Sequence, residues 1–481
     1  MRPSFVSCST RCEPRDPMRP KTLILRSGTV IDPVSGEEGV RRDVAVCGET
    51  IVAVEDVLDA DEIVDVSGML VTAAAVDCAA HVAFPGVWGL RAAGLFPDAE
   101  TLARRYAERG FGHVHESWAT LFDWGTVQAE WDRIPGPDVS VGLMLPLYDL
   151  TNAMDAQDVT AAHNMLSSVC ALLGPQGFYL PEPRVRFRHD VYKHREKAAK
   201  DLLPFLRAAC EGLSGPIVLP AGSLHGEDRA ALSCGMHLQR AMGFGNAEAA
   251  GLFSASTGFD LSGLSADLGL AWPEKSVALS WVPPADGTEG RLWDVGAFLM
   301  LKAEPLSNED FRDHGETVQF LAQGIAEGWA LSCRHANLAL VEDWEGLIRA
   351  FLEVWTVREW FLATRFHAAK ALGFLDRGHL VPGARANLAV YAEPADETNA
   401  EWAKALSRCR RLYVGGREVY NAHRGGLTPS SRIGRSRQTA MAAIDVEGLA
   451  ALSDGMSLRP ETLRRLAPRV ERAIGHDSQD S

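Results

Sequence analysis

Residues 71–86, VTAAAVDCAAHVAFPG, end a short apolar run in Asp77 and follow it four residues later with His81. Two histidines at His-x-His spacing on a strand end can share one metal ion, because side chains two apart project from the same face. Here the first of those slots is Ala79. The stretch is either a metal site short of a ligand or a scaffold that has lost its chemistry. A true His-x-His occurs further on, in HVH at 113–115, with Glu116 beside it. It reads as a relocated metal pair or as two polar residues beneath a loop.

Other residues admit two readings as well. In RHDVYKHREK (188–197), helical spacing puts His189, Lys193 and Lys197 one turn apart, as a solvated basic face or around a catalytic lysine. His225 follows an apolar run and is a loop histidine or a ligand. Cys78 and Cys333 fall at the ends of two strand-like runs, as buried thiols or as a nucleophile or redox pair. No G-x-S-x-G or P-loop text points to a serine nucleophile or a nucleotide. Tryptophans such as Trp88, Trp118 and Trp124 are core anchors or interface anchors, as are the aromatic groups in ESWATLFDW and EVWTVREWF.

These residues need elements to position them. From Lys21 to Ser67, β-branched residues alternate and Gly and Asp punctuate turns: TLILRSGTVID, DVAVCGETIVAVED, EIVDVSG. The same texture returns in ANLAVYAE and RLYVGGREVYN, which predicts one small β domain built from both ends. Between them apolar runs alternate with helical stretches, the rhythm of βα units on a parallel sheet. The predicted strands are LVTAAAVD, FGHVHES, VSVGLMLPL, GFYL, PIVLPAG, GMHLQ, SVALSWV and WALSCR. Eight is the number that a (β/α)8 barrel needs, with its active site at the carboxyl ends of the strands. An open doubly wound sheet is the competing architecture, but no G-x-G-x-x-G follows the first strand. The expected organisation is a disordered tail at 1–20, with Met18 an alternative start, and β-domain parts at 21–68 and 381–425. The barrel takes 69–380, and 426–481 is a C-terminal extension.

The net charge of −15 argues against nucleic acid, which needs clustered Lys and Arg. No uninterrupted apolar run is long enough to span a membrane, and the first 20 residues lack an apolar signal core. Nine scattered cysteines without a CxxC pair suit a reducing cytoplasm.

The N-terminal strands followed by VTAAAVDCAAH resemble the amidohydrolase superfamily. Within it the chain is similar to the amidohydrolase-like subunits of formylmethanofuran dehydrogenase and of the formyltransferase/hydrolase complex, over about residues 22–422. The similarity is densest at ARRYAERGFGHVHES, PIVLPAGSLHG, GMHLQRAMGFG, WALSCRHAN and AAKALGFLDRGHLVPGARANLAVY. The resemblance implies a metal-bearing barrel with a composite β domain, and a ligand set that this chain departs from. The Asp-x-His-x-His motif becomes Asp77, Ala79, His81, so only the second histidine remains. The fourth-strand lysine position holds Tyr179 or Leu180, and the fifth-strand histidine position holds Pro220. The sixth strand keeps His237. Arg334 stands where the family has its metal-binding aspartate, with His335 and Asn337 kept beside it.

Four of six expected ligands are therefore gone. A hydrolytic centre needs about three or four ligands to bring bound water near neutral pKa. A guanidinium at the aspartate position would repel a divalent cation. Arg334 is expected to point into the barrel mouth and hold an anion or a neighbouring carboxylate.

The reading is a degenerate amidohydrolase, a non-catalytic subunit of a one-carbon (formyl) transfer complex. Its relic pocket comprises Asp77, His81, His237, Arg334, His335 and Asn337. No metal is expected, and a furan-type one-carbon carrier is the ligand that the resemblance suggests. The expected partners are the other subunits of such a complex. The alternative is an active metal-dependent hydrolase of a formamide or cyclic amide, with a mononuclear site rearranged around His81, His237, His335 or the His113/His115 pair.

Overall fold

A computed structural model describes residues 20–80, 82–83, 98–121, 124–131, 136–145, 150–179, 185–190, 193–197, 204–206, 208–213, 217–220, 237–243, 266–271, 330–332, 341, 344–353, 355–424 and 426–427. The alternating stretches near both ends make one mixed sheet. Strands β1 (Thr22–Asp32), β2 (Glu37–Cys47), β3 (Thr50–Val52), β4 (Glu62–Asp65) and β5 (Met69–Ala73) come from the N-terminal side. The order β3-β2-β1-β5 continues into strands from the other end of the chain, and β4 pairs with β1.

One edge of β1 serves two strands because it is bulged. Leu23–Arg26 pair with β4 and Thr29–Val30 pair with β5. At the kink Ser27 takes a positive φ of 62°, and its N–H donates to Asp43 Oδ1 at 2.7 Å. Leu25, Val30, Val44, Val46 and Val71 fill the core of this sheet, as their alternation dictates.

The second sheet has eight parallel strands among the described residues. They are β6 (Ala75–Ala80), β7 (Phe111–Ala119), β8 (Asp138–Met144) and β9 (Phe178–Tyr179), then β12 (Ile217–Pro220), β13 (His237–Gly243), β14 (Ala266–Ala271) and β15 (Ala330–Ser332). Strands β10 (Val185–Asp190) and β11 (Lys193–Lys197) form a separate hairpin. Strands β16 (Leu388–Ala392), β17 (Cys409–Val414), β18 (Arg417–Asn421) and β19 (Gly426–Leu427) complete the first sheet, β16 pairing with β5.

Two sequence expectations change here, and a third falls outside the described residues. LVTAAAVD is two strands in two sheets, β5 and β6, divided at Ala74. The strand between β13 and β15 is ADLGLA, whereas SVALSWV (276–282) lies outside the described residues. The basic stretch 188–197 falls in the β10–β11 hairpin and not on a helix, with Phe187 facing Arg195 across the pair and Asp190 facing Lys193. Charges four apart fit either period, and Val185 and Phe187 favour the strand.

Alanines mark the passage from one sheet to the other. Ala73 O accepts from Arg365 Nε at 2.9 Å, Ala74 N–H donates to Asn387 O at 2.8 Å, and Ala75 N–H to Gly110 O at 2.9 Å. The backbone groups that leave one ladder are thus met before the next begins. The packing there is close, since a side chain on Gly112 would overlap Ala74 Cβ.

The main helices are α1 (Ala99–Glu108), α2 (Trp124–Trp131), α3 (Thr151–Ala156), α4 (Val159–Leu173), α5 (Trp344–Phe351), α6 (Val357–Phe361), α7 (His367–Ala371) and α8 (Asn399–Leu406). Asp98 caps α1 by accepting from Thr101 N–H, and a Thr356/Glu359 capping box starts α6. A π-helical turn, Leu362–Phe366, joins α6 to α7. Phe111, Trp344 and Trp360 stack in sequence, with ring centroids 4.9 and 5.1 Å apart. Trp124, Trp355 and Trp360 are all buried in this core and anchor the chain's own interior. The Trp118 side chain and Trp88 lie outside the described residues.

Gly110 tests the joint between the sheets. Its φ is +81°, and a Cβ there would overlap the Tyr391 hydroxyl, which donates to Arg109 O at 3.1 Å. Gly110→Ala is expected to destabilise the fold by about 2–4 kcal/mol in urea titration. A change within about 0.5 kcal/mol would mean that the joint is not close-packed.

Candidate functional site

Of the six residues predicted to line a relic pocket, Asp77 has a described side chain. His237 is the first residue of β13, its backbone paired with Val218 of β12. His81, Arg334, His335 and Asn337 lie outside the described residues, as do Cys333 and His225. Ala79 is fully buried in β6. Tyr179 ends β9, and Pro220 ends β12, paired with Gln239. Alanine and proline bring no side-chain donor to a metal.

Asp77 is completely buried. Its Oδ2 accepts from the Tyr106 hydroxyl of α1 at 2.8 Å, and its Oδ1 accepts from the Ser332 hydroxyl of β15. The Ala79 N–H lies 3.4 Å from the same Oδ1. Two hydroxyl donors thus occupy both carboxylate oxygens, as burial requires. Because Ser332 is in the last strand of the parallel sheet and Asp77 in the first, their bond ties the two ends of the sheet together. Sequence alone singled out Asp77 but neither partner.

Glu116 does a comparable job at the exit of β6. Its Oε2 accepts from the N–H groups of Val82 at 2.8 Å and Ala83 at 2.6 Å, and the carboxylate is fully buried. It therefore clamps the chain immediately after His81. The clue in the sequence was only a carboxylate on an apolar strand.

The HVH pair is built into a polar chain rather than opened to a ligand. Arg377 Nη1 lies 3.0 Å from His113 Nδ1, and His113 Nε2 lies 2.8 Å from Ser140 Oγ. An arginine can only donate, so Nδ1 accepts, and Nε2 carries the proton towards the serine. Both ring nitrogens of His113 are then engaged. The same Ser140 Oγ is 2.8 Å from His115 Nδ1. Behind Arg377, Asp138 accepts from Arg377 Nη1 at 3.4 Å and Arg385 Nε at 3.2 Å, and Arg385 reaches Glu49 at 2.7 Å. Asp138 opens β8, so this chain lies at the amino ends of the strands. A divalent cation at His113 would sit against a guanidinium. Among the described residues no three of His, Cys, Asp and Glu come together in a way that could hold a metal ion.

A parallel sheet whose first and last described strands are tied by a buried carboxylate, with a mixed sheet built from both parts of the chain, makes an α/β fold. Solved structures agree. A chain of the formyltransferase/hydrolase complex FhcABCD from Methylorubrum extorquens, crystallised with methylofuran, superposes with a TM-score of 0.65 at 15% identity. The match covers 92% of this chain and 96% of that one. An amidohydrolase matches with a TM-score of 0.51 at 14% identity over 83% of this chain and 99% of that one. D-aminoacylase matches at 0.50 and 15% over 84% and 97%. No protein-family model and no curated protein sequence matches the chain. At these identities the likeness is one of fold. No described helix is long and apolar enough to cross a membrane.

The His113 chain has a pH consequence. Burial first, and then the Arg377 charge, hold the His113 imidazole well below its ordinary range. Below about pH 6.5 the unfolded chain takes up a proton that the folded chain refuses, so stability falls with acidification by up to about 1.4 kcal/mol per pH unit. Asp138 has the opposite sign, because burial raises its carboxyl despite Arg385 and Arg377, but it acts lower, in the carboxylate range. Urea midpoints from pH 7 to 5 should decline more steeply for the wild type than for His113→Gln. Equal slopes would exclude a buried neutral His113.

Proposed function

We propose that this chain is a non-catalytic, amidohydrolase-derived subunit of a one-carbon (formyl) transfer complex. The observation that carries this reading is the match over almost the full length of both chains to a component of the formyltransferase/hydrolase complex. The replacements at the ligand positions, Ala79, Tyr179 or Leu180, Pro220 and Arg334, support loss of hydrolysis. So does the commitment of Asp77 to Tyr106 and Ser332.

In this reading the parallel sheet closes into a (β/α)8 barrel over 69–380, with a composite β domain from 21–68 and 381–425. The relic pocket of Asp77, His81, His237, Arg334, His335 and Asn337 lies at the carboxyl ends of the strands, with Arg334 facing an anion or a carboxylate. The complex that matches was solved with methylofuran, which supports a furan-type one-carbon carrier as the ligand class for that pocket. Other subunits of the complex are the partners, and the cytoplasm is the compartment.

The second reading is an active hydrolase of a formamide or cyclic amide. Retention of Asp77, His81, His237 and His335 favours it. It requires a metal centre that the described ligand positions do not supply.

Tagged protein expressed from its native operon and run on a sizing column separates the two readings. The subunit reading expects co-elution with a formyltransferase-like chain, burying well over about 1,000 Å² per contact. Elution as a lone 52.2 kDa species without partner bands contradicts it.

A further inference from the structure

At the amino ends of the parallel strands, opposite the ends to which the proposed function assigns the relic pocket, a cleft of about 390 Å³ opens on the surface. It lies between the end of α1 (Glu108, Arg109), the first turn of α5 (Glu345) and the β17–β18 pair with its approach (Arg408, Arg410, Tyr420). Arg109 immediately precedes Gly110, whose carbonyl receives the first N–H of β6, and this fixes the end of the sheet concerned.

The balance of donors and acceptors in this cleft is uneven. Glu108 is taken by Arg109 Nη1 at 2.9 Å. Glu345 is taken by Arg408 Nη2 at 3.4 Å and by the Ser407 hydroxyl at 3.2 Å. The last carbonyls of α1 are taken too, Tyr106 O by Arg109 N–H and Ala107 O by Gly110 N–H. Donors remain in surplus. The Arg109 Nε is buried, with no hydrogen-bond partner among the described residues. Arg410 is exposed and has no ion-pair partner among the described residues. Tyr420 is only 9% exposed, and its phenol has no hydrogen-bond partner among the described residues.

Burial, and then the Glu108 charge, push the Tyr420 phenol up, so at neutral pH it keeps its proton and can only donate to a negative ligand. Three guanidiniums against two paired carboxylates leave one positive charge in a chain of net charge −15. A cationic ligand would meet carboxylates that are already engaged. An oxyanion would meet the exposed part of the Arg109 guanidinium, the Arg410 guanidinium and a phenol, which are groups that form strong charge-assisted bonds. The volume is within the range of small-molecule sites.

The geometry points to a binding site for a small ligand bearing a phosphate or carboxylate group, held by Arg109, Arg410 and Tyr420, separate from the relic pocket. It does not depend on the subunit reading.

Isothermal titration of the full chain with inorganic phosphate, and separately with succinate, at constant ionic strength in chloride, tests it. Saturable one-site binding of either anion is expected. Arg410→Gln should weaken it about tenfold or more, and Tyr420→Phe about threefold, in line with loss of a charged and a neutral hydrogen bond. Arg410 is exposed, so that variant should fold, which far-UV circular dichroism checks. A response to phosphate alone assigns a phosphoryl ligand, and a response to succinate alone assigns a carboxylate. No saturable heat with either anion, or unchanged affinity in Arg410→Gln, overturns the site.

Discussion

A carboxylate withdrawn from water must be met by donors, or its burial costs several kcal/mol. Asp77 is met by two hydroxyls that come from the first described helix after its own strand and from the last described strand of the sheet. One side chain therefore holds α1, β6 and β15 together at the place where the parallel sheet begins and ends. Hydrogen bonds within the protein occupy that place.

The same economy governs the joint between the two sheets. Arg365 is buried, and among the described residues no carboxylate pairs with it. Its donors go to Ala73 O, Thr364 Oγ1 and the Tyr391 hydroxyl, and its guanidinium lies 4.1 Å over the Phe361 ring. Burial pulls its pKa down, with Tyr391 opposing. The π-helical turn carries this arginine. The Arg377–Asp138–Arg385 group is a second tie between the parallel sheet and the segment leading to β16.

Local periodicity made much of this architecture legible. Alternating Val, Ile and Leu bounded by Gly and Asp announced the mixed sheet and its origin in both parts of the chain. Seven of the eight predicted parallel-strand texts coincide with strands of that sheet. ADLGLA escaped because it has no β-branched residue, whereas SVALSWV nearby has the stronger strand composition. The division of the alanine run at Ala74 could not be read, since an Ala-rich stretch shows no alternation and its partners, Asn387 and Arg365, are remote in sequence. Asp77 was visible as a candidate, but Tyr106 is 29 residues away and Ser332 is 255. Neither has a motif. The HVH pair stayed open between a metal pair and two polar residues because spacing reports a shared face and not what that face meets, here Ser140 and Arg377.

If, as proposed, the chain is a non-catalytic subunit in which hydrogen bonds within the protein stand in the place of a metal centre, it should not hold a metal even when one is offered. The most direct measurement is metal content by mass spectrometry, after incubation of the purified full-length chain with zinc, manganese or iron and gel filtration. No stoichiometric metal is expected, and no difference between the wild type and His81→Ala. Stoichiometric metal that is lost in His81→Ala would contradict the replacement.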